Sequence, residues 1–135
     1  MKVCVKNSKS GINKDQLEVV SSFIKFLQSQ VPLNSDIEIT LTDNPKETGT
    51  TGIRLPGGII HVLSKGRMLV DVLRTISHEW VHEFQHQRLG LPDNAKIQNI
   101  GGPEENMCNV LSGIFIKQFN KQNPKFKKLI FGTAE

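Results

Sequence analysis

The chain has 135 residues, with 17 Lys and Arg against 13 Asp and Glu and a formal charge of +4. At 37% hydrophobic and 22% charged it has the composition of a globular domain, too apolar for a disordered chain and without the long apolar run that a membrane span needs. Its two cysteines, Cys4 and Cys108, lie far apart and form neither a disulfide framework nor a Cys-x-x-Cys metal site, as suits a reducing compartment.

One domain spanning residues 1–135 is expected, since this length suffices for a single core. The first sixteen residues carry no apolar stretch long enough for a signal peptide, so a cytoplasmic protein is expected. Val3 and Val5 alternate as in a short strand. From Asn13, a helix cap, Leu17, Val20, Ile24 and Leu27 recur at three and four residues with Phe23 beside them, and Val31-Pro32 ends that helix. Ile37, Ile39 and Leu41 then alternate with Glu38 and Thr40, the pattern of a strand with one buried face. Residues 42–52 are polar, with Asn44-Pro45 and Gly49, and read as a mobile loop. Ile53-Arg54-Leu55, a Pro56-Gly57-Gly58 turn and the apolar run Ile59–Leu63 read as a hairpin or a pair of strands.

A long helix is predicted from Arg67 or Met68 to Leu89, because Gly90 suits a left-handed cap and Pro92 cannot continue it. At 100° per residue, Leu73, Ile76, Trp80, Val81 and Phe84 share an apolar arc, while His78 and His82 fall opposite, beside Thr75, Glu79 and His86. Residues 93–102 read as a loop. Pro103 suits the first position of a last helix, whose apolar stripe is Met107, Val110, Leu111, Ile114, Phe115 and Phe119, closed by Asn123-Pro124.

The central helix carries His-Glu-x-x-His twice, in overlapping frames, at residues 78–82 and 82–86. Residues four apart on a helix are about 40° apart around the axis and about 6 Å along it, so two such imidazoles can meet at one ion with the Glu beside it. His78 and His86 differ by about 12 Å in rise, whereas zinc–nitrogen bonds are about 2 Å, so the three histidines cannot share one ion. The first frame is preferred: its variable pair Trp80-Val81 is apolar, and the second falls in the fraying last turn. His86 is then a surface group favoured by the helix C-terminus or a residue lining the cleft.

A catalytic zinc keeps three protein ligands and one open position. Glu104 and Glu105, at the start of the last helix, are the downstream candidates for the third. Glu105-Asn106-Met107-Cys108-Asn109 resembles the gluzincin layout of a ligand Glu with a small residue at +3 and Asp or Asn at +4, which favours Glu105. From residue 37 to 119 the order of elements is similar to that of minimal gluzincins, among them small intracellular peptidase-like proteins of phages and mobile elements. That resemblance implies an α+β zincin-like fold, a small mixed sheet packed on the active helix and a glutamate-bearing helix. It also implies Zn²⁺ held by His78, His82 and Glu105, with Glu79 as general base in hydrolysis of a peptide bond.

The resemblance further assigns residues 58–63 as an edge strand pairing with extended substrate. His61, Arg74 and His86 are candidates for a second donor to the peptide oxygen, a role no tyrosine can take because the chain has none. A peptide or protein substrate, a flexible segment of one particular partner, is expected. The other readings are a catalytically silent zincin-like binding module and, as the lesser expectation, nucleic-acid contact through Lys117, Lys121, Lys125, Lys127 and Lys128.

Overall fold

The computed structural model describes residues 1–90 and 103–135. Strands β1 (Val3–Lys6), β2 (Ile37–Thr42), β3 (Gly52–Leu55) and β4 (Ile59–Leu63) form one sheet in the order β1-β2-β4-β3. The helices among the described residues are α1 (Lys14–Gln30), α2 (Leu69–Leu89), α3 (Pro103–Gln122) and the one-turn α4 (Lys127–Ile130). β1, β2 and β4 run parallel, and β3 returns antiparallel to β4. The fold is therefore α+β with a mixed sheet, as expected. The loop expected at 93–102 lies outside the described residues.

α1 and α2 begin or end where local chemistry satisfies free backbone groups. Asn13 and Gln16 form a reciprocal capping box on α1, with Gln16 N donating to Asn13 Oδ1 at 2.8 Å and Asn13 N to Gln16 Oε1 at 3.0 Å. Gly90 caps α2 in the left-handed conformation, φ 71°. The start of α2 has no side-chain cap; Gly132 O accepts from Leu69 N at 2.7 Å, and Met68 bridges Thr133. Ala134 is fully buried there, so the chain's end is pinned under the helix carrying the double motif. The short turn of helix after Asn123-Pro124 and this isolated bridge had no periodic signal.

The core lies between the sheet and α1, α2 and α3. α1 buries Val19, Val20, Phe23, Ile24, Phe26 and Leu27, a wider face than the predicted stripe. The extra ring is used: Phe26 and Phe23 pack edge-on against Phe115 and Phe119 of α3. Trp80 is fully buried and donates from Nε1 to Val31 O at 2.8 Å, tying α2 to the end of α1.

Three expectations are corrected. β4 is not an edge strand, because β2 pairs along one side and β3 along the other. Gly57 and Gly58, both at positive φ, fold β3 back onto it, so the free edge on that side belongs to β3. Residues 42–52 form a bonded turn, with a 3-10 helix at Pro45–Glu47 capped by Asn44 Oδ1, and Thr48 buried with its hydroxyl on Pro45 O and Thr50 O. α3 is rotated from its predicted phase. It buries Cys108, Ser112, Phe115, Ile116 and Phe119 and leaves Val110 and Ile114 exposed, because the small Cys108 and Ser112 let its backbone come close to α2.

Candidate metal centre

His78 and Glu79 sit on the first half of α2, His82 one turn further, and Glu105 in the first turn of α3. The two helices pack so that one carboxylate meets both imidazoles. Glu105 Oε1 lies 2.7 Å from His78 Nε2, and Oε2 lies 2.9 Å from His82 Nε2. The rings are 4.9 Å apart, centre to centre, at 73°. All four residues named from the first frame and its downstream glutamate are thus brought together. Glu104, the rival, contributes its main-chain carbonyl: Gln85 Nε2 donates to Glu104 O at 2.9 Å.

That bond fixes the state of His82. With its amide nitrogen on a carbonyl, Gln85 presents Oε1 to His82 Nδ1 at 3.0 Å, so Nδ1 carries the hydrogen. In a neutral ring the lone pair is then on Nε2, which faces a carboxylate oxygen. Two acceptors 2.9 Å apart need a proton or a cation between them, and the donor set of two imidazoles and a carboxylate is one that zinc takes. Asn109, four residues after Glu105, acts on His78 as a hydrogen-bonding neighbour. Each imidazole is therefore oriented from outside, as metal-ligating histidines are.

The electrostatics are those of a largely buried cluster. Burial pushes the Glu79 carboxyl up to about 8, the Glu105 charge adds to the rise, and Arg54 opposes it. Burial holds His78 below the ordinary histidine value against the pull of Glu105, and His82 adds to the lowering. Burial raises the Cys108 thiol, with Glu105 and then Glu79 adding. Cys108 was expected only as a small spacer between helices; its Sγ and one ring nitrogen each of His78 and His82 all lie within 4.8 Å of one another.

A cavity of about 370 Å³ opens over this cluster, lined on the helices by His78, Glu79, Glu105 and Asn109 and on the other side by Thr50, Thr51 and Gly52. A Cβ on Gly52 would sit 2.4 Å from Thr75 Cγ2 and 3.5 Å from Glu79 Cγ, so glycine is what allows β3 to lie on α2 beside the motif. Glu79 Oε2 is buried and makes no hydrogen bond among the described residues.

Of the three proposed oxygen donors, Arg74 lines this cavity, its Nη1 on Asp71 Oδ1 at 2.8 Å. His61 and His86 do not. His61 Nδ1 lies 3.3 Å from Glu47 O, and His86 lines a separate cavity with Arg54 and Glu83. Arg67, which sequence reasoning missed, also lines the site, with its guanidinium on Leu63 O, Asp71 O and Thr75 Oγ1. Its signal was a cation just ahead of a helix N-terminus, where the dipole disfavours positive charge.

The second frame is occupied by structure. Glu83 Oε1 accepts from Arg54 Nε at 2.7 Å, both side chains fully buried, and Gln87 Nε2 donates to Glu83 Oε2. No helix among the described residues is long and apolar enough to cross a membrane. No family model, no curated protein and no solved structure matches this chain.

Proposed function

We propose that this chain is a zinc-dependent peptidase, with His78, His82 and Glu105 holding the ion and Glu79 as general base. The observation that carries the reading is the single Glu105 carboxylate set against both Nε2 atoms of the His-x-x-x-His pair, at 2.7 and 2.9 Å. A bound zinc supplies Lewis acidity and lowers the pKa of a water toward about 7.

The chain's own residues do the rest. Glu79 lines the cavity and its carboxylate takes the proton of the attacking water as the oxygen–carbon bond forms, and gives it to the amide nitrogen as the carbon–nitrogen bond breaks. The free edge of β3 offers main-chain donors and acceptors to an extended peptide beside Glu79. Arg74 and Arg67 are the cations on the cavity wall assigned to the developing negative charge. A cavity of this size admits a few residues of a flexible segment, so the substrate is read as one particular protein partner, cut in an exposed stretch.

The test is Glu79→Gln in the full chain. It should keep zinc at wild-type stoichiometry and lose hydrolysis of a mixed peptide library. A variant that cleaves as well as wild type removes Glu79 from the chemistry, and a wild-type protein that binds zinc yet cleaves nothing favours the silent binding module.

A further inference from the structure

Cys108 is fully buried and stands three residues after Glu105 on α3. Positions three apart on a helix project onto one face, and carboxylate–histidine metal sites use that spacing for two ligands from a single helix. The sulfur is already grouped with the imidazoles, since Cys108 Sγ and a ring nitrogen from each of His78 and His82 lie within 4.8 Å of one another. An independent feature also points to a cation here: Glu79, 6% exposed, leaves Oε2 without a partner among the described residues beside the same cluster.

We infer that Cys108 supplies a thiolate sulfur to the ion held by His78 and His82, making the donor set a mixture of nitrogen, oxygen and sulfur. This rests on the zinc reading above and adds to it a ligand that the resemblance gives no reason to expect. As the sulfur–metal bond forms, the thiol proton leaves to solvent water, and nothing is oxidised or reduced.

The consequence is a change in what the site is at rest. The ligand atoms that lie within 4.8 Å of one another are those of His78, His82 and Cys108, without Glu105, so at rest the sulfur takes the third place as an alternative to that carboxylate and one position stays open. A thiolate also biases the site toward zinc and cobalt and away from magnesium, calcium and manganese.

Cobalt(II) reports on sulfur directly. The full chain loaded with Co²⁺ should show visible d–d bands and, in the near ultraviolet, a sulfur-to-cobalt charge-transfer band. Cys108→Ser should lose the charge-transfer band and keep the d–d bands, while Cys4→Ser, on exposed β1, should keep both. A charge-transfer band that survives Cys108→Ser overturns the inference, as do d–d bands without any charge transfer in wild type. In both of those outcomes the zinc reading stands; absence of cobalt binding altogether removes both. Should Cys108→Ser fail to fold, X-ray absorption on zinc-loaded wild type decides, since a scatterer at about 2.3 Å is sulfur and a shell only at about 2.0–2.2 Å is nitrogen and oxygen.

Discussion

Glu79 and Glu83 stand one turn apart on the same helix, each preceded by a histidine, each in its own copy of His-Glu-x-x-His, and each almost wholly buried at 6% and 2% exposure. Their surroundings differ. Glu83 faces β3, where Arg54 Nε and the Gln87 amide take both oxygens. Glu79 faces the cavity, with Gly52 where a side chain would crowd it and Glu105 nearby, and one oxygen has no partner among the described residues. A five-residue motif therefore sets spacing only. Whether its carboxylate is a base or a strut depends on what the neighbouring strand presents to it, Gly52 in one case and Arg54, two residues on, in the other.

Exchanging each glutamate for its amide should separate the two roles. Removing a general base costs about 10²–10⁴-fold in rate, so Glu79→Gln should fall by that much in peptide cleavage while unfolding as wild type does when metal is bound. Glu83→Gln should remove the negative member of the buried Arg54–Glu83 pair, costing about 3–5 kcal/mol. Urea unfolding reads that loss. Cleavage per folded molecule should stay within a few-fold of wild type, and a Glu83→Gln variant that is stable but inactive would reverse the assignment of the two frames.

Acid–base behaviour sharpens the same contrast. In metal-free protein the Glu79 carboxyl is raised from 4.5 to about 8. The folded state then keeps a proton that the unfolded state sheds, so stability is fully present below pH about 4.5, falls as pH rises to about 8, and is level above. The order-of-magnitude ceiling is about 5 kcal/mol, at about 1.4 kcal/mol per pH unit. His78, lowered in the fold, works oppositely and adds stability as pH rises toward its ordinary value of 6.5. Glu79→Gln removes only the first effect. Between pH 4.5 and 8, with chelator present, the urea midpoint should fall less in the variant than in wild type, or rise, because only the His78 effect remains there; equal changes in both would mean that Glu79 titrates as an exposed acid.

Much of this was legible from residue order alone. Period and caps placed α1, β2, α2 and α3 because Asn13, Gly90 and the Pro103 and Asn123-Pro124 boundaries act locally; the relation of His78 to His82 follows from helix spacing, while Glu105 rather than Glu104 was what the gluzincin resemblance implied. What was not legible depends on contacts distant in sequence. Arg54 looked like the polar member of a short strand, and only the pairing of β3 with β4 brings it to Glu83. The substrate-facing edge was placed on residues 58–63 because apolar runs carry no sign of which neighbour takes each side. α3 was mis-phased because bulky Val110 and Ile114 outweigh Cys108 and Ser112 in any hydrophobic count, although the small pair permits the closest approach. That same weighting hid Cys108 as a donor.

The smallest effect tests whether the first frame is supported from outside in the way the second is. Gln85, buried at 3% exposure, holds His82 Nδ1 and is itself held by Glu104 O. In Gln85→Leu the ring keeps its packing but loses the acceptor that places its hydrogen on Nδ1, so Nε2 is no longer the fixed lone pair. Losing such an outer contact typically weakens metal binding about 10–100-fold, or roughly 1.4–2.8 kcal/mol. Competition with a chelating dye measures it, and thermal unfolding of the metal-free form controls for packing. Gln87→Leu on the opposite side, where the amide serves Glu83, should cost stability and leave zinc affinity as it was. If both variants lose zinc equally, the two faces of α2 are one coupled network, and the division drawn between Glu79 and Glu83 fails with it.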